Sequence, residues 1–155
     1  MRTTQVRIAA LFLALAAGVA ACGDDEMDDT TGPDGPYTLT FQGDATFNGP
    51  HGGQDVYVAV VDAGDGSVVA SDQSTVSDSD DPAFSFTFDD VLEADAAYEV
   101  HYWIDSNFNG GTSGECEDID TDHQWAVDLG TVDDDVTRTE DHDANTRSDV
   151  CSTFD

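Results

Sequence analysis

A loop that follows an apolar segment carries oxygen-bearing side chains at alternate positions. Asp105, Asn107 and Asn109 are separated by single residues, and Gly110 follows directly. Carboxylate and amide oxygens are the ligands that calcium prefers, and the glycine permits the sharp turn that brings them around one ion. The loop therefore predicts a calcium site, and the alternative is an Asn/Gly-rich turn with acidic residues around it. The closing carboxylate would come from the acidic residues that follow: Glu115, Glu117, Asp118, Asp120 or Asp122.

This spacing resembles the first half of an EF-hand calcium loop. Two features depart from that family, because position twelve is Cys116 instead of glutamate and because strands are expected on both sides. The loop is therefore more similar to the Asp-x-Asn-x-Asn-Gly calcium loops found outside EF-hands. Two neutral amide ligands lower the negative charge of the site, so we expect weak calcium binding, on the order of 0.1–1 mM.

Histidines form a second candidate set. Neutral imidazole is the commonest transition-metal ligand, and a periplasmic transition-metal-binding protein using surface His51, His101 and His123 is our alternative prediction of function. However, no two histidines have the close spacing typical of a metal motif. His51 lies in a turn, His123 begins a strand and His142 lies in a polar tail, so separate structural histidines are favoured.

The third candidate is one face of the strand that precedes the calcium loop. Apolar residues alternate from Tyr98 to Ile104, and side chains of a strand alternate between its two faces. The face opposite the core then carries Glu99, His101 and Trp103. An exposed tryptophan there could stack on a sugar or anchor a protein partner. The alternative is that Val150 or Phe154 from the tail covers Trp103.

The elements that position these groups are short strands. Apolar residues with a period of two recur from Tyr37 onward, separated by turns such as Ala63–Gly66, and the segment from 37 to 155 shows no helical periodicity. We predict an all-β fold, a single antiparallel sandwich of about seven strands, which looks like the immunoglobulin-like or transthyretin-like sandwiches of exported proteins. The predicted core is Leu39, Phe41, Val56, Val58, Val60, Phe84, Phe86, Phe88, Val100, Tyr102, Ile104, Trp125, Val127 and Leu129.

The charge of the chain excludes several partners. The chain has 34 acidic residues, and outside the first 21 positions its only basic residues are Arg138 and Arg147, which leaves 32 net negative charges. Two arginines are too few to neutralise phosphate groups, so nucleic acid and anionic lipid are excluded as partners of the folded domain. We interpret most of the acidity as adaptation to a salt-rich habitat, where screening keeps such a surface soluble. Cation binding is the competing explanation.

Residues 1–21 have the features of an export signal. Arg2 and Arg7 precede an uncharged stretch that ends at Val19-Ala20-Ala21-Cys22. This resembles the lipobox of bacterial lipoproteins, which implies diacylglycerol and fatty acid (palmitate) on Cys22, cleavage before it, and an exported protein anchored in the cell membrane or outer membrane, facing the periplasm or cell surface. A transmembrane helix is disfavoured because the apolar run is shorter than the roughly 20 residues a bilayer needs. Residues 22–36 are Gly/Pro-punctuated and acidic, so we predict a disordered tether before a domain at 37–155.

The predicted compartment also determines the expected oxidation state of the two remaining cysteines. Cys116 and Cys151 would lie where disulfides form, so one bridge between them is expected, with free buried thiols as the alternative. No serine sits in a nucleophile elbow, and no histidine–carboxylate pair has an identifiable third partner. We therefore expect a binding or structural module rather than an enzyme.

Overall fold

The computed structural model describes residues 35–155. Seven strands follow in order: β1 Tyr37–Gly43, β2 Asp55–Asp62, β3 Val68–Thr75, β4 Phe84–Leu92, β5 Ala97–Ile104, β6 His123–Thr131 and β7 Val136–Glu140. Short helical turns lie at Ala45–Phe47, Asn48–His51 (α1) and Cys151–Thr153. The alternation of apolar and polar residues explains the strands, and the predicted all-β class is confirmed.

The strands form two sheets. One has the order β4-β1-β7 and the other the order β3-β2-β5-β6. All pairs are antiparallel except β1 and β7, which run parallel with Leu39 opposite Val136 and Gly43 opposite Glu140. The predicted antiparallel sandwich of about seven strands is confirmed, and within residues 35–155 β1 and β7 form its one parallel pair. This pairing directs β7 toward the same end of the sandwich as β1.

The core lies between the two sheets. Phe41 of β1 reaches across to Tyr102 of β5, with ring centroids 5.1 Å apart. Every predicted core residue is buried except Leu129, which is partly buried against the others. The sequence did not predict Phe47, which is fully buried although it lies in a helical turn and not in a strand.

One end of the sandwich gathers several loops. Strands β1, β5 and β7 end there, and β2 and β6 begin there. The register shows this directly, because the last residues of β1 and β7, Gly43 and Glu140, are paired, and the last residue of β5, Ile104, is paired with the first residue of β6, His123. The connection from Gly43 to Asp55 contains α1, and the connection from Ile104 to His123 is the predicted calcium loop. The segment after Glu140 returns over the same end. Residues distant in sequence therefore meet at this end.

The predicted disulfide is present. Cys116 and Cys151 are bonded, with Cα atoms 5.3 Å apart across 35 positions of sequence. Buried Gln124 strengthens this junction, because its amide group donates to the carbonyl of Glu117 and accepts from the amide of Val150. The tail is thus tied to the loop after β5.

Part of the sequence interpretation lies outside the described residues. It includes the predicted signal at 1–21, the lipidation site Cys22 and most of the tether at 22–36. Within residues 35–155, no helix has the length and apolar character that crossing a membrane would require.

Candidate metal centre

Three histidines meet at the loop-rich end of the sandwich. His51 Nε2 lies 2.9 Å from His123 Nδ1, and His142 Nε2 lies 3.3 Å from the same His123 atom. The three ligand atoms all lie within 4.8 Å of one another. Within residues 35–155, no other group of three or more His, Cys, Asp or Glu side chains comes together closely enough to hold a metal ion.

His51 is held by its local structure. It is the last residue of α1 and is fully buried. Its carbonyl accepts a hydrogen bond from the amide of Gln54 (2.9 Å), and its Nδ1 lies 2.7 Å from Gln54 Oε1. Because an amide oxygen only accepts, Nδ1 carries the proton and the lone pair of Nε2 points to the other two histidines. This is the tautomer that a metal ligand needs.

The other two histidines are placed by the sheets. His123 is the first residue of β6, opposite Ile104 at the end of β5. His142 follows β7 by two residues, and its backbone amide donates to Thr46 Oγ1 at 2.8 Å. Trp125 donates from its indole N–H to the carbonyl of Asp143 at 3.0 Å, which fixes the chain beside His142.

Aromatic rings surround the three imidazoles. Phe47 lies 5.5 Å from His142 and 6.3 Å from His51, and Trp125 lies 5.6 Å from His123, all as centroid separations. Phe108, at 4.8 Å from His123, is 53% exposed and lies at the solvent side. The cluster therefore has an apolar floor and one side that reaches water.

The pKa values of all three histidines are lowered, chiefly because burial penalises the charged imidazolium. The pKa of His51 falls to about 4, although its hydrogen bond with Gln54 opposes the shift. The pKa of His123 also falls to about 4, helped by the positive charges of His51 and Arg147, and that of His142 falls despite Asp143 nearby. The three imidazoles are thus neutral at pH 7, and a metal ion would not have to displace protons from imidazolium groups.

Two of the three separations suit a first-row transition metal. Zn–N bonds of about 2.0–2.1 Å at tetrahedral angles place nitrogen ligands about 3.3 Å apart. The separations of 2.9 and 3.3 Å are close to that value, whereas His51 and His142 lie within 4.8 Å of each other and would move closer together around a bound ion. Imidazole nitrogens suit zinc, copper or nickel, whereas calcium and magnesium require oxygen. Three protein ligands also leave one position for water or an exchanging partner.

His101, which the sequence placed with His51 and His123, is not in this cluster. Its Nδ1 lies 2.7 Å from Thr153 Oγ1 and its Nε2 lies 2.9 Å from Glu99 Oε2, on the outer face of the four-stranded sheet. His142 takes its place in the predicted set. No local sequence pattern points to His142, because the parallel pairing of β7 with β1 is what brings the tail to α1.

The outer face that carries Glu99, His101 and Trp103 is covered by the tail. Trp103 is only 2% exposed, stacks on Tyr57 at 4.3 Å, and has Phe154 edge-on at 6.2 Å. This is the alternative arrangement considered from the sequence. The face is therefore not an open surface on which a sugar or a protein partner could contact Trp103.

In the predicted calcium loop, Asp105 has a structural role. Its carboxylate accepts hydrogen bonds from the Gly114 amide (2.7 Å), from the Ser113 hydroxyl (3.1 Å) and from the side-chain amide of Asn107. Asp122 is fully buried and accepts from three backbone amides of the same loop, those of Ser106, Asn107 and Glu117. These bonds give the loop its shape.

Two oxygens of the loop converge above Gly111. A Cβ at Gly111 would collide with Glu117 Oε2 and would lie 2.6 Å from Asn107 Oδ1, so a larger residue there would displace the Glu117 carboxylate. Asn107 Oδ1 is buried without a hydrogen-bond partner among the described residues, while Glu117 accepts from the amide of Thr112. Among the predicted ligands, Asn107 and Glu117 are therefore the two whose side-chain oxygens converge on one point.

The remaining predicted calcium ligands have other partners. Asn109 donates from its side-chain amide to the carbonyl of Asp120 at 2.6 Å, and Asp118 accepts from the amides of Asp120 and Thr121 at 3.0 and 3.2 Å. The side chain of Asp120 is exposed. The calcium site stays a prediction, now centred on Asn107 and Glu117.

Comparison with known proteins gives no relative. No protein-family model, no curated protein and no solved structure matches this chain.

Proposed function

We propose that the domain binds one transition-metal ion, Zn²⁺ or Cu²⁺, through His51 Nε2, His123 Nδ1 and His142 Nε2. The observation that carries the proposal is the convergence of three neutral imidazole nitrogens, with His51 held in the ligand tautomer by Gln54. A structural zinc site normally has four protein ligands, and this cluster has three. The fourth position is therefore left for water or for a donor from a metal-exchange partner.

A cluster of three imidazoles could also serve packing alone. Two arguments favour a metal. Buried histidines that only fill space bring unpaired ring nitrogens out of water at a cost, and three lone pairs in one place are poorly satisfied by one shared proton.

The test is calorimetric titration of the metal-free full chain with Zn²⁺ and Cu²⁺. Excess Mg²⁺ and fixed high ionic strength suppress diffuse binding to the many carboxylates. We expect one saturable site that His123→Ala and His142→Ala weaken at least a hundredfold. At a hundred times its dissociation constant, the metal should raise the free energy of unfolding by about 2.7 kcal/mol.

His101→Ala is the matched control, because it removes a half-buried histidine that lies outside the cluster. It should keep wild-type affinity. Circular dichroism shows whether each variant is folded. Equal affinities for the His101 and His142 variants would rule out the proposed site.

The anchor is part of the proposal. The lipobox-like sequence at Val19–Cys22 supports export and lipidation of Cys22, so the metal site would be presented outside the cytoplasm. Expression in a bacterial host with labelled palmitate tests this. The full chain should take up label and fractionate with membranes, whereas Cys22→Ala should do neither. Label on the Cys22→Ala chain would contradict the assignment.

A calcium ion at the loop after β5 is a second proposal, favoured by one observation. The buried Asn107 Oδ1 lacks a hydrogen-bond partner among the described residues and lies next to Glu117 Oε2. Thermal unfolding at fixed ionic strength, with Ca²⁺ compared with Mg²⁺, tests it. Ca²⁺ should raise the melting temperature and Glu117→Gln should abolish the rise, while Glu115→Gln leaves it. Identical curves in Ca²⁺ and Mg²⁺ would exclude the site.

A further inference from the structure

A cavity lies on the outer face of the four-stranded sheet, away from the histidine cluster. It has a volume of about 390 Å³, within the usual range for small-ligand pockets. The tail and the loop after β5 close its sides. Its lining consists of Tyr57, Trp103, Gly114, Glu115, Cys116, Phe154 and Asp155.

Two aromatic planes meet at this cavity at nearly a right angle. Tyr57 and Trp103 are parallel, at 4° and 4.3 Å, and Phe154 stands at 74° to Trp103. Tyr57 and Trp103 cover each other's facing surfaces and Trp103 is only 2% exposed, so a cation in the cavity meets the rings of Tyr57 and Phe154, with Trp103 behind them. Aromatic rings are the usual recognition element for methylated ammonium groups.

The charges around the cavity have one sign. Glu115 and Asp155 line it, and no lysine or arginine does. The pKa of the Tyr57 hydroxyl is raised, first by burial and then by the carboxylates of Asp55 and Asp105, so the negative field extends over the ring itself. An anionic ligand would be repelled, and a neutral ligand would gain nothing from these carboxylates.

The lining also argues against a simple metal ion. Aromatic carbon offers no ligand atoms, and the cavity is far larger than one ion. The indole Nε1 of Trp103 is buried and has no hydrogen-bond partner among the described residues, which is costly for a polar group. An organic ligand with an acceptor near its charged end could satisfy it.

We propose that this cavity binds a small organic cation with a quaternary or methylated ammonium group. The ring surfaces of Tyr57 and Phe154 that line the cavity contact the methyl groups, and Glu115 and Asp155 supply the counter-charge. The site is independent of the histidine cluster. It does not require a metal ion.

The test uses choline and its neutral isostere 3,3-dimethyl-1-butanol as probes, added to the full chain at fixed ionic strength. The indole N–H signal of Trp103 in a ¹H–¹⁵N spectrum reports binding, and a Trp103→Phe variant assigns it. We expect a saturable shift with choline and an affinity for the isostere at least tenfold weaker. The methyl groups are common to both probes, so the difference measures the charge.

Three variants locate the site. Phe154→Leu should weaken choline binding about tenfold by removing one ring, and Glu115→Gln should weaken it severalfold without changing the shape of the cavity. Glu93→Gln is the matched control, because Glu93 is exposed in the turn before β5 and lies outside the cavity. It should bind choline as the wild type does.

Two results would overturn the proposal. One is equal affinity for choline and the neutral isostere. The other is a choline response that the Phe154 and Glu115 variants share with the wild type, as diffuse attraction to an acidic surface would produce.

Discussion

His51 and His123 place ring nitrogens 2.9 Å apart, although 72 positions separate them in the sequence. His51 comes from the helical turn between β1 and β2, and His123 from the first position of β6. One proton at most is shared between the two facing nitrogens, and His142 Nε2 lies 3.3 Å from the same His123 atom, so a metal ion is well placed to bind the lone pairs that meet here. This relationship is the basis of the metal proposal.

Gln54 should matter for metal affinity although it would not touch the metal. Its Oε1 accepts from His51 Nδ1 and so keeps the His51 Nε2 lone pair directed at the cluster. Replacing it with leucine removes the acceptor and frees the ring tautomer. We expect Gln54→Leu to weaken Zn²⁺ binding roughly 10–100-fold, as other changes to partners of metal-bound histidines do. Calorimetric titration measures the change.

Gln42→Leu serves as the control for that experiment. Gln42 lies on β1 and its side-chain amide donates to Ser85, in the sheet that does not carry His123. It should leave the affinity unchanged. An unaltered affinity in Gln54→Leu as well would mean that the tautomer of His51 does not depend on Gln54.

The strands and the core could be predicted from the sequence, because the alternation of apolar and polar residues is visible within a few consecutive positions. Phe84, Phe86 and Phe88 alternate with polar residues, and burying one face of a strand requires that pattern. The disulfide could also be predicted, since the two cysteines outside the predicted export signal have one possible pairing with each other.

The histidine cluster could not be predicted from the sequence, because no pattern of neighbouring residues brings the three histidines together. His142 looked like a tail residue, and it reaches the cluster only because β7 pairs in parallel with β1. His101 looked equivalent to the others, yet its strand position places it on the outer face with Glu99 and Thr153. A site formed from three separate loops is a property of the tertiary fold.

The stability of the metal-free protein should fall with pH on the acid side of neutrality. His51 and His123 have pKa values of about 4 in the folded chain and about 6.5 when unfolded. Between pH 6.5 and about 4 the unfolded chain therefore binds more protons, and the free energy of unfolding decreases as pH decreases. Above pH 6.5 these groups should contribute no slope. Urea unfolding with a chelator present, at half-unit pH steps, measures this.

Substitution separates these histidines from other titrating groups. His123→Gln should reduce the slope between pH 6.5 and 4 without removing it, because glutamine does not titrate whereas His51 still does. Gln42→Leu, which lies outside the cluster and changes no titratable group, is the control and should keep the slope. A wild-type slope in His123→Gln would assign the acid sensitivity to groups other than His123.

The disulfide should contribute substantially to stability. It closes a loop of 35 positions and holds the tail that covers Trp103. Changing Cys116 and Cys151 together to serine avoids a lone thiol and should lower the free energy of unfolding by about 3–4 kcal/mol. Urea unfolding of the variant and the wild type gives the difference.

Tryptophan fluorescence adds a local measurement to that comparison. If the tail loosens without the disulfide, emission should become more accessible to a neutral quencher, because Trp103 loses the cover of Phe154. Cys22→Ser, which leaves the bridge intact, is the control and should keep wild-type stability. If the free energy of unfolding fell by less than about 1 kcal/mol in the double variant, the packing around Gln124 would be enough to hold the tail without the disulfide.

Added salt should stabilise the domain more than it stabilises an ordinary protein. The chain has a formal net charge of −30, so its carboxylates repel one another, and the screening length falls from about 10 Å at 0.1 M to about 3 Å at 1 M salt. We expect the melting temperature to rise by several degrees over that range in KCl.

The exposed acidic loop between β3 and β4 provides a variant that tests the cause. Changing Asp78, Asp80 and Asp81 to asparagine removes three charges from exposed positions and should raise the melting temperature at low salt while reducing the salt-dependent rise. Three Ser→Ala changes at exposed Ser71, Ser74 and Ser79 alter polar groups but not charge, and they should preserve the full salt dependence. If the asparagine variant responded to KCl as the wild type does, repulsion among surface carboxylates would not limit stability. The acidity would then be better explained by solubility in a salt-rich habitat, since net charge keeps proteins apart even where it does not govern the fold.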